Sequence, residues 1–169
     1  GRNMLNRRNF IATTTATIGL AAIGALGANA TTGDFEITRT EAEWKELLTP
    51  ARYAVLRKEK TERPFSNSLK GESSDLLTEN RDGNYHCAGC DLPVFKSETK
   101  FDSGTGWPSF WDTIEGNVRF KEDNTLFSKR TEEHCRRCGG HLGHVFNDGP
   151  APTGKRHCIN GLALTFKPT

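Results

Sequence analysis

CRRCGGHLGH, residues 135–144, places two cysteines three positions apart, and CAGC, residues 87–90, repeats this spacing upstream. Each pair can present two thiolates to one ion, and the glycines in and after the pairs permit the tight turn that such a knuckle needs. The pattern predicts a four-thiolate zinc site of Cys87, Cys90, Cys135 and Cys138. The 44 residues between the pairs exceed the usual spacing in a small zinc ribbon, so we expect zinc to fasten distant parts of a larger sheet.

Two other interpretations of the cysteine pairs stay open from the sequence. Two disulfides would suit an oxidising compartment outside the cytoplasm. A thioredoxin-like redox pair would need a βαβ context, and neither pair has one in this sequence. The zinc site is therefore the leading prediction.

The first thirty residues have the pattern of an export signal. Arg7-Arg8 precedes an uncharged run that ends in Ala28-Asn29-Ala30, which is typical of a twin-arginine signal peptide cleaved after Ala30. We expect a signal peptide over residues 1–30, one mature domain over residues 31–169 and a periplasmic location. Without cleavage, the 25 uncharged residues 9–33 are long enough to anchor the chain in the inner membrane, and a flexible tail is a third interpretation. Twin-arginine export carries folded cargo, so zinc could be loaded in the reducing cytoplasm.

The composition favours one mainly β domain. The 17 glycines and 7 prolines indicate many turns, and 34% hydrophobic with 26% charged residues suits a globular fold. The formal charge of +2 becomes −1 without the three arginines of the leader. A body this close to neutral argues against nucleic-acid binding through bulk charge.

Local signals predict two short helices followed by antiparallel strands. Residues 40–43 form a capping box ahead of Trp44, Leu47 and Leu48, which share one helical face, and Thr49-Pro50 begins a second helix that runs to about Lys58. Residues 118–120 and 126–128 are predicted strands around a turn at 122–125. Residues 162–166 alternate as a strand does.

Cys158, in KRHCIN at residues 155–160, is a fifth cysteine outside the paired pattern. Its neighbours Lys155, Arg156 and His157 are basic, so we predict that they lower the pKa of the thiol and make Cys158 a nucleophile. A buried, inert thiol is the alternative and the commoner fate of a free cysteine. An exported protein is expected to lose or pair an idle thiol, which favours the nucleophile.

Two histidines and a tryptophan complete the candidate chemistry. His141 and His144 follow the second cysteine pair and are predicted general acids at neutral pH. They could ligate the metal instead, although four thiolates already complete its shell. Trp107, in GTGWPSFW at residues 104–111, is interpreted as an aromatic wall for an apolar substrate group, and the alternative is a core residue that closes a loop.

The body, from about Phe35 to Pro168, resembles the methionine-R-sulfoxide reductases. Five motifs stand in the family's order: TERPFS (61–66), YHCAGC (85–90), FDSGTGWPSFW (101–111), CRRCGGHLGHVFNDGP (135–150) and PTGKRHCIN (152–160). The resemblance implies antiparallel strands in two sheets with short N-terminal helices, a zinc clip opposite the active site and no organic cofactor. It also implies methionine-R-sulfoxide, free or in oxidised proteins, as the substrate.

The resemblance assigns a role to seven residues. It makes Cys158 the nucleophile and Trp107 the seat of the substrate's methyl group. The remaining residues surround the sulfoxide oxygen (His141, His144, Asn160) or support the substrate site (Asp148, Arg156). In the implied reaction the thiolate attacks the sulfoxide sulfur, a histidine protonates the departing oxygen, and Cys158 is left as a sulfenic acid.

Two positions depart from the family pattern. Many relatives carry a resolving cysteine where this chain has Thr105, and many have serine where it has Gly161. We expect Gly161 to alter only the local turn. With threonine at position 105, no free thiol remains to condense with the sulfenic acid. We therefore expect an external reductant, either a thioredoxin-like protein or a small thiol. We expect the enzyme to be a monomer.

Two other classes of function compete with the reductase. One is a zinc-ribbon binding module with an incidental Cys158, which would have no chemical need for Trp107 and the two histidines. The other is a general thiol–disulfide exchanger, which would use a second free thiol that this chain lacks.

Overall fold

The computed structural model describes residues 35–124 and 128–169. The predicted leader, residues 1–30, lies outside this range. Two α-helices, α1 (Glu41–Leu47) and α2 (Pro50–Lys58), precede the strands in the described part. No helix there has the length and hydrophobicity to span a membrane.

Both helices begin at the predicted caps. The Thr40 hydroxyl accepts a hydrogen bond from the Glu43 N–H at 3.3 Å, and the Glu43 carboxylate accepts one from the Thr40 N–H at 2.7 Å. The Thr49 hydroxyl accepts from the Arg52 N–H, and proline occupies the first turn of α2. Losing such a cap typically costs about 1 kcal/mol, so these short helices are specified locally.

The three apolar residues that were predicted to share one face of α1 differ in exposure. Trp44 and Leu48 are buried, whereas Leu47 is 53% exposed. The helix ends at Leu47, and Trp44 is the only one of its residues that is buried. Helix α2 contributes more to the core, with Ala51, Tyr53, Ala54, Val55 and Leu56 buried.

The described strands are all paired in antiparallel fashion. They are β1 (Ser68–Leu69), β2 (Glu72–Ser73), β3 (Gly83–Cys87), β4 (Pro93–Lys96), β5 (Lys100–Phe101), β6 (Ser109–Phe110), β7 (Val118–Asp123), β8 (Arg130–Cys135), β9 (His141–Phe146), β10 (Arg156–Ile159) and β11 (Leu164–Pro168). A six-stranded sheet has the order β5-β6-β10-β9-β8-β7, and a three-stranded sheet has the order β11-β3-β4. The predicted fold, mainly β with two antiparallel sheets, is confirmed, and the hairpin β1-β2 is added to it.

Aromatic rings join the two sheets. Phe95 of the three-stranded sheet stacks on Phe110 of the six-stranded sheet with 4.4 Å between ring centroids. Tyr85 meets Phe110 edge-on at 4.9 Å. All three rings are fully buried. Such rings contribute large buried apolar areas, and here they fix β6 and its neighbour β10 against the second sheet.

Two predicted strand boundaries are wrong. Glu122 and Asp123 belong to β7 rather than to a turn, Ser128 precedes β8, and residues 126–127 lie outside the described range. β7 is a largely exposed edge strand, where charged residues are common, and its composition therefore looks like a turn. Residues 161–163 form a 3₁₀ turn, so only the second part of the strand predicted at 162–166 is extended.

Candidate active site

The two cysteine pairs meet at the ends of strands from different sheets. Cys87 ends β3 and Cys135 ends β8, whereas Cys90 and Cys138 follow in the adjoining turns. The four sulfur atoms lie within 4.8 Å of one another. The distance is 3.7 Å between the Sγ atoms of Cys87 and Cys138 and 3.4 Å between those of Cys90 and Cys135.

These sulfur distances fit a shared metal ion better than disulfides. Four thiolates at ~2.3 Å from one tetrahedral ion lie about 3.8 Å apart. A disulfide needs about 2.05 Å between its sulfurs, and all five cysteines are free thiols. The cluster of Cys87, Cys90, Cys135 and Cys138 could therefore hold a metal ion. It would fasten two different sheets, which corrects the expectation of a link within one sheet.

Cys158 lies apart from this cluster, on the central strand β10. It stands opposite Ser109 of β6 on one side and opposite His144 of β9 on the other. Its sulfur is 4.0 Å from the hydroxyl oxygen of Thr105. The residue is only partly buried, so the thiol is held by two neighbouring strands and remains reachable.

The prediction that the basic neighbours of Cys158 lower the pKa of its thiol is wrong. Burial raises the pKa of the thiol, and the opposing charge of Arg156 and hydrogen bond of Thr105 do not overcome it. Strand alternation sends His157 to the opposite face, where its Nδ1 lies 2.6 Å from Oε1 of the buried Glu133. The Lys155 amine donates to Asn147 instead. Of the three basic residues, only Arg156 favours the thiolate.

We expect Cys158 to titrate above 9.0, its ordinary pKa, in the free protein. Its alkylation by iodoacetamide should therefore keep rising with pH beyond that point, because only the thiolate reacts. Arg156→Met should move the midpoint further up by removing the favourable charge, and Lys155→Met should leave it in place. Mass spectrometry of the Cys158 peptide across the alkaline range measures both. A midpoint near neutrality would contradict this assignment.

Each predicted histidine is held by a carboxylate that sequence analysis missed. The His141 Nδ1 lies 2.7 Å from Oε1 of Glu132 on β8, and the His144 Nε2 lies 2.8 Å from Oδ2 of Asp123 on β7. The two imidazole centroids are 5.4 Å apart. Glu132 stands opposite His144 in the sheet, so the carboxylate, His144 and Cys158 occupy one row across β8, β9 and β10.

Both imidazoles favour the neutral form. Burial lowers the pKa of His141 to about 4. Burial also lowers the pKa of His144, although the Asp123 carboxylate opposes this shift. When the His141 Nδ1–H donates to Glu132, Nε2 becomes a hydrogen-bond acceptor, and this buried atom has no hydrogen-bond partner in the described structure. In the free protein the geometry therefore presents two proton acceptors, and the predicted role of these histidines as general acids stays a prediction. Neither histidine belongs to the four-cysteine cluster that could hold a metal ion.

Glu62 is a third residue that sequence analysis missed. Its buried carboxylate accepts hydrogen bonds from the N–H groups of Gly161 (2.7 Å) and Leu162 (2.8 Å) and from the Asn67 amide (2.7 Å). Its carbonyl oxygen accepts from the Trp107 indole N–H at 3.2 Å. Glu62 therefore ties the half-buried Trp107 to the segment that follows Cys158.

Asn160 joins the same arrangement. Its Oδ1 accepts from the Glu62 N–H at 3.0 Å, and its amide donates to the Leu142 carbonyl at 3.0 Å. The side chain is buried and bonds to backbone on both sides. Its predicted place beside the sulfoxide oxygen stays a prediction.

Arg156, the first residue of β10, forms an ion pair with Asp148. The guanidinium makes two hydrogen bonds of 2.9 Å to the carboxylate and lies over the Phe146 ring at 4.4 Å from its centroid. The hydrogen bonds from Arg156, together with its charge, lower the pKa of Asp148. Because the pair restrains a long side chain that favours the Cys158 thiolate, the geometry is compatible with the predicted supporting role.

Gly161 does more than alter the local turn, contrary to expectation. A Cβ atom at this position would lie 2.6 Å from Oγ and 2.9 Å from Cβ of Ser74. The absence of a side chain at residue 161 therefore gives Ser74 its place in the loop that follows β2. This contact spans two distant parts of the sequence.

We expect Gly161→Ser to destabilise the fold by about 1–3 kcal/mol, the usual cost of overpacking. Combining it with Ser74→Gly should recover much of this loss, because the clash disappears. Denaturant midpoints of the parent, the two single variants and the double variant form the required cycle. A double variant no more stable than Gly161→Ser would show that the Ser74 contact is not the cause.

Comparison with known proteins agrees with this arrangement. A family model described as the SelR domain matches residues 48–168. A protein of Methanosarcina barkeri named peptide methionine sulfoxide reductase MsrB is 54% identical over 132 residues, which cover 78% of this chain and 88% of the relative. Relatives of the same name from Alteromonas mediterranea (50% identity; 75% and 85% coverage) and Agrobacterium fabrum (46%; 79% and 94%) are similar over comparable lengths.

The match includes the four cysteines, Trp107, both histidines and Cys158, since all of them lie within residues 48–168. It also covers nearly the whole described fold. The chain therefore belongs to the SelR-domain family, together with these MsrB reductases.

Proposed function

We propose that this chain reduces methionine-R-sulfoxide, free or within a polypeptide, to methionine. The observation that carries the proposal is the position of Cys158, a reachable thiol outside the four-cysteine cluster, 4.0 Å from Thr105 and opposite His144. The substrate follows from the name of the relatives, peptide methionine sulfoxide reductase. Trp107 offers an aromatic surface for the sulfoxide's methyl group.

The neutral histidines suit the first chemical step. Cys158 is a thiol at neutral pH, so a base must take its proton before the sulfur attacks the sulfoxide. His144, opposite Cys158, accepts that proton and passes it to the sulfoxide oxygen, and His141 is the second candidate. The sulfur–oxygen bond of the substrate breaks and the oxygen becomes bonded to the Cys158 sulfur. The substrate sulfur gains the two electrons that the cysteine sulfur loses, and Cys158 ends as S–OH. The proton lost by the thiol is the one on the oxygen, so the step balances.

Thr105 determines how the enzyme returns to its starting state. A threonine hydroxyl cannot form a disulfide with the sulfenic acid, and the other four cysteines lie in the metal cluster. An external thiol therefore attacks Cys158, releases water and forms a mixed disulfide, which a second thiol resolves. A thioredoxin-like protein or a small thiol can serve as this donor.

We also propose that the cluster holds one structural zinc ion. Four thiolates are a common donor set for zinc, and they leave no open position for a substrate. The ion would hold the ends of β3 and β8 together when bound. The reaction steps assigned above are carried by residues outside this cluster.

The test of this function is an assay with separated R and S epimers of methionine sulfoxide. With dithiothreitol as donor, the residues 31–169 protein should release methionine from the R epimer, and Cys158→Ala should not. Turnover of the S epimer, or of neither epimer by zinc-loaded protein, would refute the proposal. Reduction of insulin disulfides without sulfoxide reduction would favour the thiol–disulfide exchanger.

We further propose export by the twin-arginine route and action as a periplasmic monomer, with an uncleaved inner-membrane anchor as the alternative. The support is Arg7-Arg8 and the small residues that end at Ala30. Replacing both arginines by lysine should abolish the periplasmic fraction of the protein. Undiminished periplasmic protein would refute this route.

A further inference from the structure

A groove of about 700 Å³ lies beside Trp107. We call it the flanking groove, and the residues that line it include Phe65, Leu77, Asn80, Phe101, Trp107 and Pro108. Ligand sites that bury whole drug-sized molecules occupy about 300–1,000 Å³. The groove therefore has more room than one methionine sulfoxide side chain needs.

The flanking groove is lined by Gly104, Gly106 and Trp107, and Thr105, which lies 4.0 Å from the Cys158 sulfur, belongs to the same loop. It also follows β5, an edge strand of the six-stranded sheet, through Lys100 and Phe101. An edge strand is a template for an additional extended segment. A chain that places one residue at Trp107 can therefore continue along β5.

Among the large hydrophobic side chains in the described part of the chain, Phe65 is the most exposed, at 69%. Its φ of 65° is left-handed, a conformation that is unfavourable for a bulky residue. Three hydrogen bonds stabilise this conformation. The Phe65 N–H donates to the Gly106 carbonyl at 2.7 Å, and the buried Asn67 amide donates to the same carbonyl and to the Glu62 carboxylate. A buried polar framework thus fixes an exposed ring beside Trp107, which points to a contact with a ligand.

The far wall of the groove is also held in place. The Lys100 ammonium donates to the carbonyls of Leu77 (3.0 Å) and Glu79 (2.6 Å), and the Tyr85 hydroxyl donates to Glu79 at 3.1 Å. Lys100 is thereby occupied as a support. A preformed wall reduces the ordering cost of binding.

We propose that the flanking groove binds the residues next to the methionine sulfoxide of an extended, unfolded polypeptide. This rests on the proposed reductase function and adds the surface that distinguishes protein-bound from free sulfoxide. The occupant is an extended peptide because the groove combines an edge strand, a fixed exposed aromatic ring and continuity with Trp107. A small apolar ligand would use only the aromatic wall.

The test compares two substrates with dithiothreitol as donor, so that no protein reductant competes for the surface. One is the R epimer of N-acetylmethionine sulfoxide methylamide, and the other is an unstructured peptide with the R sulfoxide at its centre. Phe65→Ala should lower kcat/KM about tenfold for the peptide and leave the small substrate nearly unchanged, as expected for losing an aromatic anchor. Phe65→Tyr should retain peptide turnover. Phe120→Ala is the matched control, since Phe120 is 50% exposed on β7, outside the groove.

A second measurement separates binding from turnover. The same peptide with norleucine in place of the sulfoxide, labelled with a fluorophore, should bind the parent and the Phe120→Ala protein and bind Phe65→Ala about tenfold more weakly. Equal losses on both substrates, or no loss on either, would overturn the proposal. If the parent protein reduces neither substrate, the proposed reductase function is refuted. If the parent reduces both substrates and Phe65→Ala affects both equally, only the proposed role of the flanking groove is refuted.

Discussion

We expect Cys138→Ser to leave the chain unfolded or aggregated rather than merely less active. The four-cysteine cluster joins the end of β3 to the end of β8 and so connects the two sheets. Structural zinc sites supply about 10–16 kcal/mol of folding free energy at neutral pH. A typical domain has a net stability of about 5–15 kcal/mol, so losing one ligand can remove as much as the whole margin. Circular dichroism and metal analysis of the purified variant measure the effect.

Cys158→Ser is the matched control, because it also exchanges a cysteine for serine but lies outside the cluster. It should keep one zinc ion per chain and the parent's unfolding midpoint. Prolonged treatment of the parent with a strong chelator should reproduce the Cys138→Ser result. A metal-free Cys138→Ser protein that unfolds cooperatively at the parent's midpoint would show that packing of Phe95 and Phe110 holds the sheets without the ion.

Local signals in the sequence predicted local structure well. The capping box at Thr40 and the Thr49-Pro50 start are confirmed because each depends on residues at most three positions apart. The cysteine spacing likewise predicted a shared metal site, since each pair forms its own knuckle. The β7 boundary was missed because an exposed edge strand tolerates the charged residues that also mark turns.

Contacts between residues far apart in the chain could not be predicted from the sequence. Glu62 approaches Gly161 across ninety-nine positions, and Glu132 meets His141 only after β8 and β9 pair with a bulge. The direction of the Cys158 pKa shift was predicted wrongly for two reasons. The alternation of side chains along a strand, which places His157 on the opposite face, was not applied to this segment. The burial that raises the pKa of the thiol follows only from packing in the folded protein.

We expect Cys158→Ser to lower turnover of the R sulfoxide by about 10⁶-fold, the order of magnitude seen when a serine protease loses its nucleophile. A serine hydroxyl is a far weaker nucleophile than a thiolate at neutral pH. The variant should still fold and hold zinc, so the loss is chemical. Single-turnover measurement with one equivalent of substrate and no reductant should give methionine from the parent and none from the variant.

The same single turnover tests the division of the five thiols. In the parent, Cys158 should gain one oxygen atom and react with a dimedone-type probe while zinc is retained, because Thr105 beside it cannot form a disulfide. Thr105→Cys supplies a thiol where the hydroxyl now lies 4.0 Å from the Cys158 sulfur, so a modest shift should allow an intramolecular disulfide to replace the trapped sulfenic acid. If the parent instead forms a disulfide between Cys158 and a cluster cysteine and releases zinc, the cluster takes part in turnover and is not purely structural.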